Sequence, residues 1–204
     1  ARLLADIGEA EVNLEDLRLD HGLGLPFGVA EVSVLPAAVR PLELGTIVYD
    51  VGAPFTHTVF PTCGVVSQLT RLETGVFAES GTIGRESCIG PTSVLMTRVA
   101  SRRFEVRVPG SALFVPLDAL DAVIRADFGA RNVFMREAQA SLNAALQLAV
   151  CNHAHPAQQR LARWILQAHD RVQADEFYLK QATLAESLGL RRATVSECCS
   201  ALSQ

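Results

Sequence analysis

The feature that most narrows the choice of fold is the stretch from Lys180 to Leu202, KQATLAESLGLRRATVSECCSAL. It reads as two short helices around one glycine. Lys180 to Ser187 forms the first, with Leu184 and Leu188 as buried positions. Gly189 ends it, because a residue without a Cβ enters the left-handed conformation at no steric cost. Leu190 is an apolar plug at the corner. Arg191 starts the second helix, where Val195, Cys199 and Leu202 recur at steps of four and three and face inward. Neighbours on a helix point about 100° apart, so Cys199 is expected in the core and Cys198 partly exposed. Oxidation at Cys198 would then disturb the outer face of this helix.

Two helices joined by a short turn containing glycine make a helix-turn-helix. Its second helix enters the DNA major groove with its N-terminal residues leading. Arg191, Arg192, Thr194 and Ser196 stand at that tip. An arginine can bond guanine O6 and N7 together, for about 1–3 kcal/mol of discrimination. Hydroxyls and helix N-terminal amides can hold phosphates. Lys180, Gln181 and Glu197 complete the candidate DNA contacts. The alternative for the segment taken alone is an ordinary helical hairpin with two solvated arginines.

The preceding pattern divides into two further regions. From Arg131 to Val150 there is neither Gly nor Pro, and Met135, Ala138, Leu142, Ala145 and Ala149 follow steps of three and four. That is a narrow, heptad-like seam rich in small residues, suited to a two-helix dimer contact. A helix packed on its own sheet is the alternative. Phe134, Leu146, Leu148 and Val150 widen the apolar surface and are expected to serve the N-terminal domain.

Up to about Leu117 the chain is different. After an amphipathic opening (Leu3, Leu4, Ile7, Leu14, Leu17) come short β-branched runs: Thr46–Tyr49, Thr58–Phe60, Val65–Leu69 and Phe104–Val108. Turn signals separate them at Val51–Pro54, Pro61–Gly64 and Val108–Gly110. Short strands at near-regular spacing imply an antiparallel barrel or sandwich. The expected organisation is α+β, with a β-roll at 1–117, a long dimerisation helix at 118–152 and a helix-turn-helix domain at 153–204. In the last, Pro156 suits a helix first turn, and Leu161, Trp164, Ile165 and Ala168 give that helix an apolar face.

Bulk properties fit a water-soluble protein. About half of the 204 residues are hydrophobic and a fifth are charged, and no apolar run approaches the roughly 20 residues of a membrane span. The five cysteines, Cys63, Cys88, Cys151, Cys198 and Cys199, show no CxxC spacing and are expected to be reduced thiols in the cytoplasm. The net charge of −4 argues mildly against DNA binding, yet 156–204 carries six Arg or Lys against five Asp or Glu.

The helix-turn-helix and its lead-in, His155 to Leu166 (HPAQQRLARWIL), resemble the C-terminal domain of the Crp/Fnr family of transcription regulators. Leu44–Gly52 resembles the opening strand and turn of that family's sensor, and Phe60–Ser67 its next hairpin. The resemblance runs from about Pro41 to Leu202. It implies a cyclic-nucleotide-binding-like β-roll, a dimer helix and a winged helix-turn-helix whose wing would follow Gln204. It also implies a homodimer on double-stranded DNA, with RNA polymerase and a small-molecule effector as further partners. By the same resemblance Arg192 is a base-contacting arginine and Thr194 supports a backbone contact. Ala193 stands where a glutamate would be and Glu197 where an arginine would be, so the operator should differ from the familiar one.

The family's nucleotide motif is degenerate. Arg85 separates Gly84 from Glu86, and Ser101–Phe104 (SRRF) replaces the usual Arg-hydroxyl run. Arg85, Glu86 and Arg102 are the candidate pocket residues, in a sensor expected not to take cAMP. The alternative is a cAMP- or other ligand-responsive activator. Cys151, His153 and His155 cluster without an evident fourth metal ligand, so a polar hinge is expected there and no metal or cofactor. A small β-barrel metal enzyme would need two or three converging His. Between residues 40 and 118 there is only His57, so no enzymatic activity is expected.

Overall fold

The structure is a computed structural model and describes residues 36–90, 97–172, 174 and 176–202. The amphipathic opening around Leu3 to Leu17 lies outside them. Among the described residues, five strands come first: β1 (Ala38–Leu42), β2 (Ile47–Tyr49), β3 (His57–Arg71), β4 (Phe77–Ile83) and β5 (Arg103–Pro116). Five helices follow: α1 (Leu117–Ala126), α2 (Phe128–Ala154), α3 (Ala157–Val172), α4 (Gln181–Leu188) and α5 (Arg192–Leu202). The strands form one antiparallel sheet in the order β1-β5-β3-β4, with β2 also paired to β5. The architecture is therefore α+β, an N-terminal antiparallel sheet leading through helices to a C-terminal helix-turn-helix.

Two expected turns are not turns. Pro61–Gly64 and Val108–Gly110 lie inside the long strands β3 and β5, opposite one another across a run of register shifts. Gly64 sits at φ +95°, and a Cβ there would come 2.7 Å from the Val108 carbonyl oxygen. A Cβ on Gly110 would overlap the Cys63 carbonyl. These glycines permit a bulge and a close approach of two backbones. The turn at Val51–Pro54 does form, with Gly52 at φ +82°.

Among the described residues, three apolar clusters form the core. Inside the roll, Leu42, Phe55, Val59, Val66, Ile83, Ile89, Phe104 and Val106 pack together. Phe60, Leu113 and Val115 of the sheet pack on Leu120 and Ile124 of α1 and on Ala130 and Phe134 of α2. Val65 and Val108 meet Leu161, Trp164, Ala168, Leu184, Leu188 and Val195. The expected single helix from about 117 is thus two. Asp127 is extended at φ −118°, and its carboxylate accepts from the Gly129 amide at 2.7 Å as the N-cap of α2.

Beyond Phe134, α2 turns its seam outward. Met135, Leu142, Ala145, Leu146, Ala149 and Val150 are exposed and Ala138 is half-buried. Leu146 and Val150 therefore do not serve the sheet, contrary to expectation. Phe134 is the last buried α2 residue of the core cluster shared with the sheet, and Leu146 and Val150 are exposed beside the outward seam instead. No helix among the described residues is long and apolar enough to cross a membrane.

Candidate nucleic-acid interface

The helix-turn-helix is built as its local sequence dictates. Lys180 is exposed and caps α4 through its backbone, with no side-chain capping bond. Gln181, the first helical residue, is half-buried. Leu184, Ala185, Ser187 and Leu188 point inward. Gly189 adopts φ 62°, ψ 38°, and its amide together with the Leu190 amide returns to carbonyls of the last turn. This is the left-handed stop expected of Gly189. The Arg160 guanidinium also donates to the Leu188 carbonyl oxygen, bringing a cation to the negative end of α4.

Arg191 serves as the backbone N-cap of α5, because its carbonyl accepts from Val195 at 3.2 Å. Helix α5 therefore begins one residue later than its sequence implied. Arg191, Arg192, Ala193, Ser196 and Glu197 are exposed, and Thr194 is half-buried. Val195 and Cys198 are the buried anchors. The expected pair was Cys199 and Leu202, but Cys199 is half-buried and Leu202 is 45% exposed. Steps of three and four are equally helical, so only the position of α3 and α4 chooses Cys198 over Cys199. A buried Cys198 is not the exposed thiol on which the oxidation idea depended.

The candidate pocket residues are engaged separately. Glu86 pairs with Arg171 of α3 at 2.6 Å. Arg102 is exposed and donates to the Gln68 side chain at 3.1 Å. Arg85 is exposed. Elsewhere on the sheet, a groove of about 300 Å³ is lined by Asp50, Val51, Arg71, Gly75, Phe77 and Arg103. There Arg103 stacks on Phe77 and donates twice to Asp50, at 2.9 and 2.8 Å. Arg103 and the Val51 amide hold the Asp50 carboxyl below its ordinary range. At the end of α2, Cys151 is buried while His153 and His155 are exposed. No group of three His, Cys, Asp or Glu suited to a metal occurs among the described residues.

Sequence reasoning missed the polar contacts that seat the C-terminal helices on the sheet. The Trp164 indole donates to Glu79 at 3.0 Å, and Ser67 donates to the other carboxylate oxygen at 2.5 Å. Burial pushes the Glu79 carboxyl above its ordinary value, opposed by Ser67, Ser187, Trp164 and Arg107. Arg107 bridges Glu105 at 3.0 Å and Glu186 of α4 at 3.4 Å. One signal was available: a tryptophan on an apolar helix face needs an acceptor for its N–H once buried. Its spacing does not say which carboxylate supplies one.

Residues 159–204 match the Crp-like helix-turn-helix domain. The chain is similar in structure to FixK2 from Bradyrhizobium japonicum, with a TM-score of 0.69 at 17% identity, over 82% of this chain and 84% of that one. It is similar to TTHB099, a CRP-family transcriptional regulator from Thermus thermophilus, with a TM-score of 0.65 at 14% identity, over 80% and 84% of the two chains. The c-di-GMP-responsive global regulator CLP from Xanthomonas campestris gives a TM-score of 0.61 at 14% identity, over 82% and 86%. No curated protein matches by sequence. The C-terminal residues 159–204 thus carry a match to the Crp-like helix-turn-helix domain, and the order of sheet, helices and helix-turn-helix is the fold that this chain shares with FixK2 and TTHB099.

Proposed function

We propose that this protein is a sequence-specific DNA-binding transcription regulator that works as a homodimer. The observation that carries the reading is α5. Its buried side is anchored by Val195 and Cys198, while Arg191, Arg192, Ser196 and Glu197 face solvent at its N-terminal end. Its first-turn amides are a natural seat for phosphate. The exposed α2 seam of Met135, Ala138, Leu142, Ala145 and Ala149 suits a second copy. Two readers then address half-sites about one helical turn apart. Lys180, Gln181 and Thr194 are assigned to the phosphate flank, and Arg192 to base reading. Selection from a random DNA pool is expected to return a two-fold symmetric site. Arg192→Ala should weaken that site by about 1–3 kcal/mol and change non-specific binding much less. An equal loss on both would reduce Arg192 to a phosphate contact, and no enrichment would sink the reading.

The sensor is assigned a role other than cAMP capture. Glu86 is already paired with Arg171, and Arg102 with Gln68. Millimolar cAMP is expected to leave the melting temperature unchanged, and a clear upward shift would reverse the assignment.

A further inference from the structure

The loop Gly84–Gly90 touches both helices that matter for the reader. Ser87 donates to the buried Glu137 of α2 at 2.5 Å. Its neighbour Glu86 accepts Arg171 of α3 at 2.6 Å, and the Gly84 amide donates to the same Glu86 oxygen at 3.2 Å. The Arg171 guanidinium also donates to the Thr82 hydroxyl at 2.5 Å and to the Thr82 carbonyl at 3.2 Å. The arginine side chain is only 12% exposed. It passes over Gly84 so closely that a Cβ there would overlap its Cγ and Cδ. Gly84 is not in the left-handed region, so what that glycine provides is room for Arg171. From α3 the link to α5 runs through packing, because Leu161, Trp164 and Ala168 share one core with Leu184, Leu188, Val195 and Cys198.

We propose that Arg171 is a positioning residue for DNA recognition. Threaded past Gly84 to Thr82 and Glu86, it fixes the orientation of the helix-turn-helix on the sensor. The 84–90 loop is then the place where a change in the sensor or in α2 reaches α5. A fork-shaped guanidinium suits this task, since it meets a carboxylate and a hydroxyl together and stays charged when enclosed. Unpairing it leaves a nearly buried charge, so the contact is held or released as a unit. The proposal rests on the DNA-binding reading above.

Trp164 is the only tryptophan of the chain, and its bond to Glu79 belongs to the same sheet–helix contact. Its fluorescence therefore reports that contact with no DNA present. In the full chain, Arg171→Gln and Gly84→Ala are each expected to raise acrylamide quenching of Trp164. Each should also weaken binding to the selected duplex by about three- to thirtyfold. The double variant should lose no more than the worse single one, because both act on one contact. Arg171→Lys should recover part of both signals. Glu86→Gln, nearly isosteric and less enclosed, gives the same readout if the Arg171 variants fail to fold. Unchanged quenching, or losses that simply add in the double variant, would overturn the proposal. A wild-type protein that selects no duplex would fail the DNA reading instead, and quenching of Gly84→Ala would still decide the contact.

Discussion

Helices α2 and α3 carry comparable apolar stripes and meet opposite fates. On α3, Leu161, Trp164 and Ala168 are buried against Val65 and Val108 of the sheet and against α4 and α5. On α2, Met135, Leu142, Leu146 and Val150 stay more than half exposed. A contiguous exposed apolar stripe marks an interaction surface. The difference teaches that α3 uses its stripe to join two parts of one chain, while α2 leaves its stripe facing solvent, where the proposed second copy would sit. The polar contacts agree. Around α3 they tie helix to sheet through Glu79, Thr82 and Glu86. Along the outward half of α2 they include bonds within the helix, such as Gln139 to Asn143 at 3.0 Å, and only near its end does Asn152 accept from Arg163 of α3 at 3.3 Å among the contacts described.

The largest effect expected from this comparison is on α3. Trp164→Ala should cost about 3–5 kcal/mol of folding stability, read by denaturant unfolding followed by circular dichroism. A cost near zero would mean that α3 is not the keel of the C-terminal half. Next comes Leu142→Asp on α2. It should leave the fold of a protomer intact and weaken self-association by about a hundredfold, close to 2.7 kcal/mol, in sedimentation at micromolar concentration. If it instead unfolds the chain as Trp164→Ala does, the contrast between the two stripes breaks.

The smallest effect is one of pH at the base of the α3 contact. Glu79 faces Ser67 from β3, Arg107 from β5, Trp164 from α3 and Ser187 from α4. Burial raises its carboxyl above the ordinary 4.5, so the folded state holds the proton more tightly than the unfolded one. Its contribution to stability is present below 4.5 and is lost as pH rises through the folded value. Glu79→Gln keeps an acceptor for the indole and should flatten this part of the melting-temperature profile. A profile identical to the parent's would show that Glu79 does not titrate in this way.

Several elements were legible because their causes are local. Gly189 had to stop α4, since the left-handed conformation it takes is set by a missing Cβ. The inward Leu184 and Leu188 and the apolar face of α3 follow from helical period alone. Elsewhere local cues pointed the wrong way. Glycine and proline at 61–64 and 108–110 mark turns when read singly, yet they face each other in paired strands and make a bulge. Asp127 carried a capping signal that periodicity passed over, and it splits one expected helix into α1 and α2. Cys198 and Cys199 are adjacent, and nothing in the α5 repeat prefers one.

By itself the sequence determined the order of the parts: strand-rich half, seam-bearing helix, two short helices around Gly189. Those follow from side-chain period and backbone sterics, which act over a few residues. Only the tertiary structure decided which acids and bases meet. Arg171 finds Thr82 and Glu86 some 89 and 85 positions away along the chain, and Trp164 finds Glu79 at a separation of 85. A charge or an indole N–H specifies that it needs a partner once buried, and the packing of α3 on the sheet specifies which one.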